Sequence, residues 1–528
     1  MVVPELRPWR AARPHVVRIA HALRPHLARA AAAARPPVAR LVRAARPQVA
    51  RGAVPKAWQY AAGAATAGLA LAAGVVTAAG PWDSTGQRTA EHDRAVALGR
   101  AGGTDHGGVP GAPSRPRPAP SAGPVLTGLG GVSTVKSAPD GRILADALTP
   151  LLKDPALGPR PAAVVVDVTT GRRLYGAKPD SALTPASTTK IATAVAALSA
   201  MGADHRLTTR AALEPDTKEV VLVGGGDPTL TAREKADGWA SLRTLAGRTA
   251  AALAERGVRD VTLSYDTTLY AGPRKHPIGV NPNLALVSPL MADEGRTDDS
   301  TSGPAPRVEN PAADAARRFG DLLESYGVKA SVPGPSKATT RAKTLAKVSS
   351  PPLSVLVERM LTHSDNDIAE SLAHQTAIAT GNRADFAGAD KAIGSQLRRL
   401  GLPLKGAAFK DGSGLNRSDR MTPALLTALL AKAADPAHPE LRPALTGLPV
   451  AGFTGTLTAR YTDGAAGVVR AKTGSLSGVN TLAGTVVDHD GRLLAFAFMS
   501  TDTAPGTEAA TRKALDKLAT TLANCGCR

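Results

Sequence analysis

Aromatic residues make up only 3% of the 528 positions, with six Phe, six Tyr and four Trp. A core with so few rings must be assembled from Ala, Val and Leu. A nucleic-acid surface that depends on base stacking has almost no platforms to use. Cysteine is scarcer still: Cys525 and Cys527 stand alone at the C-terminus. Two thiols with no histidine beside them cannot complete a zinc site. A small-ring or intermolecular disulfide, or a tail with two idle thiols, is what remains. No metal or other cofactor is expected. Acid is almost missing from residues 1–56, where eleven Arg and one Lys face Glu5 alone, so this arm carries +11 of the net +20. The remaining 472 residues carry +9, and the pI of 10.3 therefore says little about the folded part.

Charge is absent from Ala57 to Trp82, a stretch of Ala, Leu, Val, Gly and Thr with Trp58, Tyr60 and Trp82 near its edges. About 20 apolar residues span a bilayer and aromatic rings favour its interfaces. The basic flank places the N-terminus in the cytoplasm and everything beyond residue 82 outside. Two readings stand: an uncleaved anchor at the cell membrane, favoured by the long arm, and a signal peptide cut near Val76-Thr77-Ala78, giving a secreted protein. In the arm, Arg-Pro recurs every eleven residues at 13, 24, 35 and 46. Eleven residues are close to three helical turns, which suits a basic face toward anionic lipid. A low-complexity expansion that only enforces topology is the plain alternative. Residues 83–137, rich in Gly, Pro and Ser, read as a flexible linker.

The folded part is expected over 138–528. Ala163–Asp167 with Arg173–Tyr175, and Gly484–Val487 with Leu493–Met499, read as strand hairpins, the second with a two-residue turn at Asp490-Gly491. Helical runs lie between them, at Ile191–Leu198, Leu353–Leu361 and Ile368–Ala377, and Thr511–Leu522 closes the chain as an amphipathic helix. Strands at both chain ends with helices between them predict an α/β sandwich whose sheet joins the termini. The catalytic part is assigned to 138–211 and 346–528, with an inserted domain at 212–345, because 173 residues separate Lys190 from Ser364 and no loop is that long. Gly224-Gly225-Gly226-Asp227-Pro228 lacks the Gly-Lys-Ser/Thr of a phosphate cradle and reads as a turn.

Three strings stand out in order: Ser187-Thr188-Thr189-Lys190, Ser364-Asp365-Asn366 and Lys472-Thr473-Gly474. They fit S-x-x-K, S-x-N and K-T-G, the set of a penicillin-reactive serine acyltransferase. A second S-x-x-K, Ser133–Lys136, lies in the linker with no helix pattern behind it. Ser187 and Lys190 are one helical turn apart and share a face. A serine needs an adjacent base to become a nucleophile, and Lys190 serves only when neutral. Burial and a second cation would lower its pKa, and Lys472 is the obvious cation. Ser364 is a candidate proton relay, and Asn366 a candidate to fix the lysine and hold the substrate's acyl-side amide. Lys472 and Thr473 suit recognition of a carboxylate, and Gly474 would let the substrate backbone approach. The N–H groups of Ser187 and Ser475 are candidates for an oxyanion hole.

With Asp411-Gly412-Ser413-Gly414-Leu415 and Ala471-Lys472-Thr473-Gly474-Ser475, the chain resembles the penicillin-binding protein 4 type of D-alanyl-D-alanine carboxypeptidase/endopeptidase, the S13 serine peptidases, over about 138–528. The resemblance implies a serine β-lactamase/transpeptidase-like fold. Ser187 would attack the D-Ala-D-Ala bond of peptidoglycan stem peptides and release D-alanine. The resulting acyl-enzyme would be hydrolysed, and β-lactams would trap the serine. It also places Leu415 beside the active site. The insertion is short for a family whose larger members carry two inserted domains. A class A β-lactamase is disfavoured, since no E-x-x-L-N string follows Ser364. A transpeptidase differs by one acceptor, and a non-catalytic cell-wall scaffold would not need the intact Ser187 and Lys190.

Overall fold

The computed structural model describes residues 140–461 and 464–525. The arm, the uncharged stretch 57–82, the linker, the second S-x-x-K string and Cys527 lie outside the described residues. Among those described, no helix is long and apolar enough to cross a membrane. Cys525 is buried and disulfide-bonded.

Five strands form an antiparallel sheet: β1 (Ala162–Asp167), β2 (Arg173–Ala177), β8 (Val469–Leu476), β9 (Val479–Val487) and β10 (Leu493–Thr501), in the order β2-β1-β10-β9-β8. β1 is buried at every position and pairs with β10, which joins the start of the folded chain to its end. Such a strand carries no polar face because both sides of the sheet are covered. Side chains alternate across β10: Leu494, Phe496 and Phe498 point into one core, Ala495, Ala497 and Met499 into the other. On the first side the sheet packs against α1 (Gly141–Leu148) and α9 (Glu508–Asn524), with Phe496 and Phe498 stacked at 5.0 Å. Burial of each ring contributes roughly 2–3 kcal/mol. On the second side lie α2 (Thr189–Met201), α5 (Leu353–His363), α6 (Asn366–Ala379), α7 (Phe386–Arg399) and α8 (Pro423–Ala434). Small side chains at Ala192, Ala194, Ala196 and Ala197 let α2 sit fully buried among them. The scarcity of aromatics is thus met by close helix packing.

A second sheet is inserted between α2 and α5. It comprises β3 (Thr208–Leu213), β4 (Glu219–Val223), β5 (Asp260–Asp266), β6 (Lys329–Pro335) and β7 (Lys343–Ser349), in the order β6-β5-β4-β3-β7. The helices α3 (Leu242–Ala254) and α4 (Pro311–Ser325) cover it around Phe319. The expected limits 212 and 345 fall inside β3 and β7. These two strands pair from Thr208↔Ser349 inward, so the insertion closes on itself four residues further out at each end. Its Gly224–Gly226 segment does more than turn the chain. A Cβ on Gly225 would lie 2.0 Å from the Thr208 carbonyl oxygen. The Gly225 and Gly226 carbonyls accept from Gln375 and Ser371 of α6, tying the insertion to the helical layer. The β9–β10 hairpin also departs from its expected two-residue turn. Asp488 pairs with Arg492 and its carboxylate accepts the N–H groups of Asp490 and Arg492, leaving a three-residue loop, 489–491.

Candidate active site

The three strings converge where the helical layer meets the edge strand β8. Ser187 does not open the long helix directly. It sits in a one-turn 3-10 helix, Ala186–Thr188, and α2 begins at Thr189. Ala186 has φ +48°, a conformation that costs a non-glycine residue of order 1 kcal/mol or more. The turn is held from behind, where Thr188 and Thr481 hydroxyls both donate to the Pro185 carbonyl at 2.7 Å. Ser364 is the left-handed cap of α5 (φ +58°), Asp365 caps α6 by accepting the Ile368 N–H, and Asn366 is the first residue of α6. The second string is therefore the joint between two helices, with no loop to let it drift. Lys472, Thr473, Gly474 and Ser475 lie on β8.

Lys190 is fully buried and reaches three partners: Asn366 Oδ1 at 2.7 Å, the Ser413 carbonyl at 2.7 Å and Ser187 Oγ at 3.1 Å. Two of these are acceptors only. A neutral amine has two N–H donors and one lone pair. As the ammonium, Lys190 donates to all three; once neutral, with its donors on Asn366 and Ser413, its lone pair would face the Ser187 hydroxyl, the one partner that can donate. Burial lowers the Lys190 pKa to about 8, against the pull of Asp411, Glu370, Asp365 and Asp419. Of the two expected causes, burial is thus the one that lowers it, and the expected contribution of Lys472 is absent. Lys472 is itself fully buried, and its own pKa is pushed well down, first by burial and then by the charge of Lys190. It donates to the Thr473 carbonyl at 2.8 Å.

Gly474 also has a different reason from the one expected. A Cβ there would lie 2.1 Å from Thr481 Oγ1 and 2.6 Å from the Pro185 carbonyl. The missing side chain admits the protein's own backbone beneath the nucleophile. Ser187, Ser364, Asn366, Leu415, Thr473 and Ser475 line one cleft of about 440 Å³, open to solvent. Asn283, Arg296 and Arg307 of the insertion form its opposite wall, and the Asn366 side-chain N–H donates to the Asn283 carbonyl at 2.9 Å. Of the Asn366 amide, the oxygen holds the lysine and the nitrogen is engaged by the insertion.

Two buried groups escaped sequence reasoning because their members are far apart along the chain. The first is His276, Glu370 and Asp411; the second is Glu294, Asp365 and Asp367. Both have donor atoms close enough to hold a cation, but arginines, a histidine and backbone N–H groups already engage them. Arg307 lies 3.0 Å from Asp367, and Arg296 lies 2.8 Å from Glu294. Burial and the Asp365 charge push Glu294 well above the usual carboxylate range, against the pull of Arg296. In the first group backbone N–H groups and the histidine fill the carboxylates. The only prior signal was the Asp411–Leu415 string, equally readable as a glycine turn.

A buried lysine aimed at a serine on a tight turn, between a helical layer and the edge of an antiparallel sheet, defines a serine acyltransferase of the penicillin-recognising type. Residues 144–306 and 295–522 match the model of the D-Ala-D-Ala carboxypeptidase 3 (S13) family, and the chain belongs to that family. It is 36% identical over 426 residues to a carboxypeptidase of Mycobacterium tuberculosis, covering 78% of this chain and 90% of that protein. It is 37% identical over 424 residues to the carboxypeptidase DacB of Mycolicibacterium smegmatis, with the same coverage of both. In fold it is similar to penicillin binding protein 4 from Haemophilus influenzae, with a TM-score of 0.59 at 21% identity, over 72% of this chain and 98% of that one.

Proposed function

We propose that the protein is a serine D,D-carboxypeptidase that cleaves D-Ala-D-Ala peptides of peptidoglycan through an acyl-enzyme and is trapped by β-lactams. The observation that carries this reading is Lys190 Nζ 3.1 Å from Ser187 Oγ, while Asn366 Oδ1 and the Ser413 carbonyl accept two of its N–H groups. Lys190 takes the Ser187 hydroxyl proton as Oγ attacks the carbonyl carbon of the penultimate D-alanine. The N–H groups of Ser187 and Ser475 are the candidate donors to the oxyanion. The C–N bond breaks and the departing amine takes a proton, for which Ser364 is the relay candidate. Water then hydrolyses the ester, Lys190 again serving as base, and Ser187 is regenerated. Thr473 and Lys472 suit the terminal carboxylate of the substrate. That anion would also restore charge to a lysine whose burial otherwise disfavours it.

The catalytic part works outside the cell membrane, tethered through residues 57–82. What supports this is the uncharged stretch behind a basic arm and the linker that follows. The test is to incubate the full chain in detergent with a fluorescent penicillin and, separately, with a peptide ending in D-Ala-D-Ala, beside Ser187→Ala. Covalent labelling and D-alanine release are expected, both lost in the variant. A folded wild type that does neither would refute the reading.

A further inference from the structure

Behind the loop that carries Ser413, three distant parts of the chain bring buried ionisable groups together. His276 comes from the insertion, between β5 and α4; Glu370 from α6; Asp411 and Asp419 from the loop between α7 and α8. His276 Nε2 lies 3.0 Å from Asp411 and 3.7 Å from Glu370, and these three side chains are at most 1% exposed. The Ile278 N–H points at His276 Nδ1 at 3.2 Å. That nitrogen is an acceptor, so the ring proton sits on Nε2 and is donated to Asp411. The ring is further fixed edge-on against Phe386 at 5.3 Å.

The carboxylates clamp the loop. Glu370 accepts the N–H groups of Gly412 and Ser413, the latter at 2.9 Å. Asp411 accepts those of Gly414 and Asn416, both at 2.6 Å. Asp419, pushed up to about 10 by burial and the Asp411 charge, stays protonated and donates to Asp411. Burial opposes ionisation of Asp411, but the hydrogen bonds from His276 and Asp419 outweigh it. The clamped loop aims the Ser413 carbonyl at Lys190, 2.7 Å away.

We propose that His276 is a positioning residue for Lys190, acting through Asp411 and the Ser413 carbonyl, so that the inserted region tunes the base of the catalytic part. This rests on Lys190 being the base for Ser187. The groups facing Lys190 are Asp411, Glu370 and Asp365, which favour its ammonium, Asp419, which does so only when ionised, and Lys472, which that ammonium repels. Those facing His276 are Asp411, Glu370 and His374. Loss of the His276 donor weakens the Asp411 charge and loosens the Ser413 carbonyl. Both effects remove support from the ammonium and lower the lysine pKa.

The test measures the acylation rate of the full chain by a fluorescent penicillin from about pH 6 to 10 in wild type, His276→Leu and His276→Gln. His276→Leu is expected to lower the high-pH plateau roughly tenfold and move the acid limb down by about half a pH unit or more. Glutamine, which can donate at the same place, should restore most of both. An unshifted limb in His276→Leu, or a uniform loss that glutamine does not rescue, overturns the proposal. Where the leucine variant does not fold, the isosteric Asp411→Asn takes its place; the same downward shift is expected and an unshifted limb is again fatal. Wild type that is labelled beside unshifted variants sinks only this inference, whereas an unlabelled, folded wild type sinks the carboxypeptidase reading itself.

Discussion

Asn366→Asp is the most direct test of how the lysine is kept neutral. The substitution changes one atom at Oδ1/Nδ2 and adds a charge, with Oδ1 already 2.7 Å from Lys190 Nζ. A unit charge at that separation is worth about 6 kcal/mol at an effective dielectric of 20. If only a third of it is realised, about 2 kcal/mol, the lysine pKa rises by about 1.5 units. Starting from about 8, the neutral fraction at about pH 7.5 falls from roughly a quarter to roughly a hundredth, a loss of about 25-fold in acylation rate. At about pH 10 most of the lysine is neutral in both proteins, and the two rates should converge. Rapid-mixing acylation with a fluorescent penicillin across that range gives both profiles. A loss that stays constant from about pH 6.5 to 10 would mean that Asn366 acts on substrate alone, and would refute the electrostatic argument.

Ser187→Ala removes covalent labelling and D-alanine release together, read by gel fluorescence and an amino-acid assay. Gly414→Ala places a Cβ 1.9 Å from the Ala186 carbonyl oxygen at φ +83°. It is expected to cost about 2–4 kcal/mol in denaturant unfolding and to abolish acylation, because neither backbone can move without shifting Ser187. Arg307→Met leaves Asp367 without its buried cation, while Glu294 keeps Arg296, and should cost about 3–5 kcal/mol near pH 8. Burial already raises Asp367 to about 6. Without Arg307, which lowers it, that value moves higher still, so a proton can replace the lost cation and the penalty should shrink as pH falls toward about 6. A penalty that grows on acidification would contradict this sign. The His276 variants complete the set through their shifted acid limb.

The elements most legible from the residues were those with a strong period and a local boundary. Ile191–Leu198 falls inside α2, and Leu493–Met499 inside β10, because an unbroken apolar run in a fully covered layer needs no distant information to be noticed. The turn at Asp490-Gly491 was misjudged by one residue because the Asp488 carboxylate captures two following N–H groups, a side-chain effect that turn statistics average away. Glycines were legible as glycines but not for their reason. Gly474 and Gly225 are required by parts of the chain remote in sequence, Pro185 and Thr208. Of the two causes expected to lower the Lys190 pKa, burial operates and Lys472 does not, since the other groups that act on Lys190 are carboxylates.

The sequence by itself determined the chemistry: a serine and a lysine one helical turn apart, and two further strings in the order an acyl-transfer site requires. Their i, i+3 spacing is local, so no fold is needed to bring Ser187 and Lys190 together. What only the tertiary structure decided is which groups hold the lysine's amine against the serine. Asn366 and Ser413, which take its two protons, lie 176 and 223 residues further along the chain, and the group that clamps Ser413 reaches into the insertion at His276. Contacts of that range follow from how layers pack. Packing is a property of the whole buried assembly and leaves no pattern in any one stretch of residues.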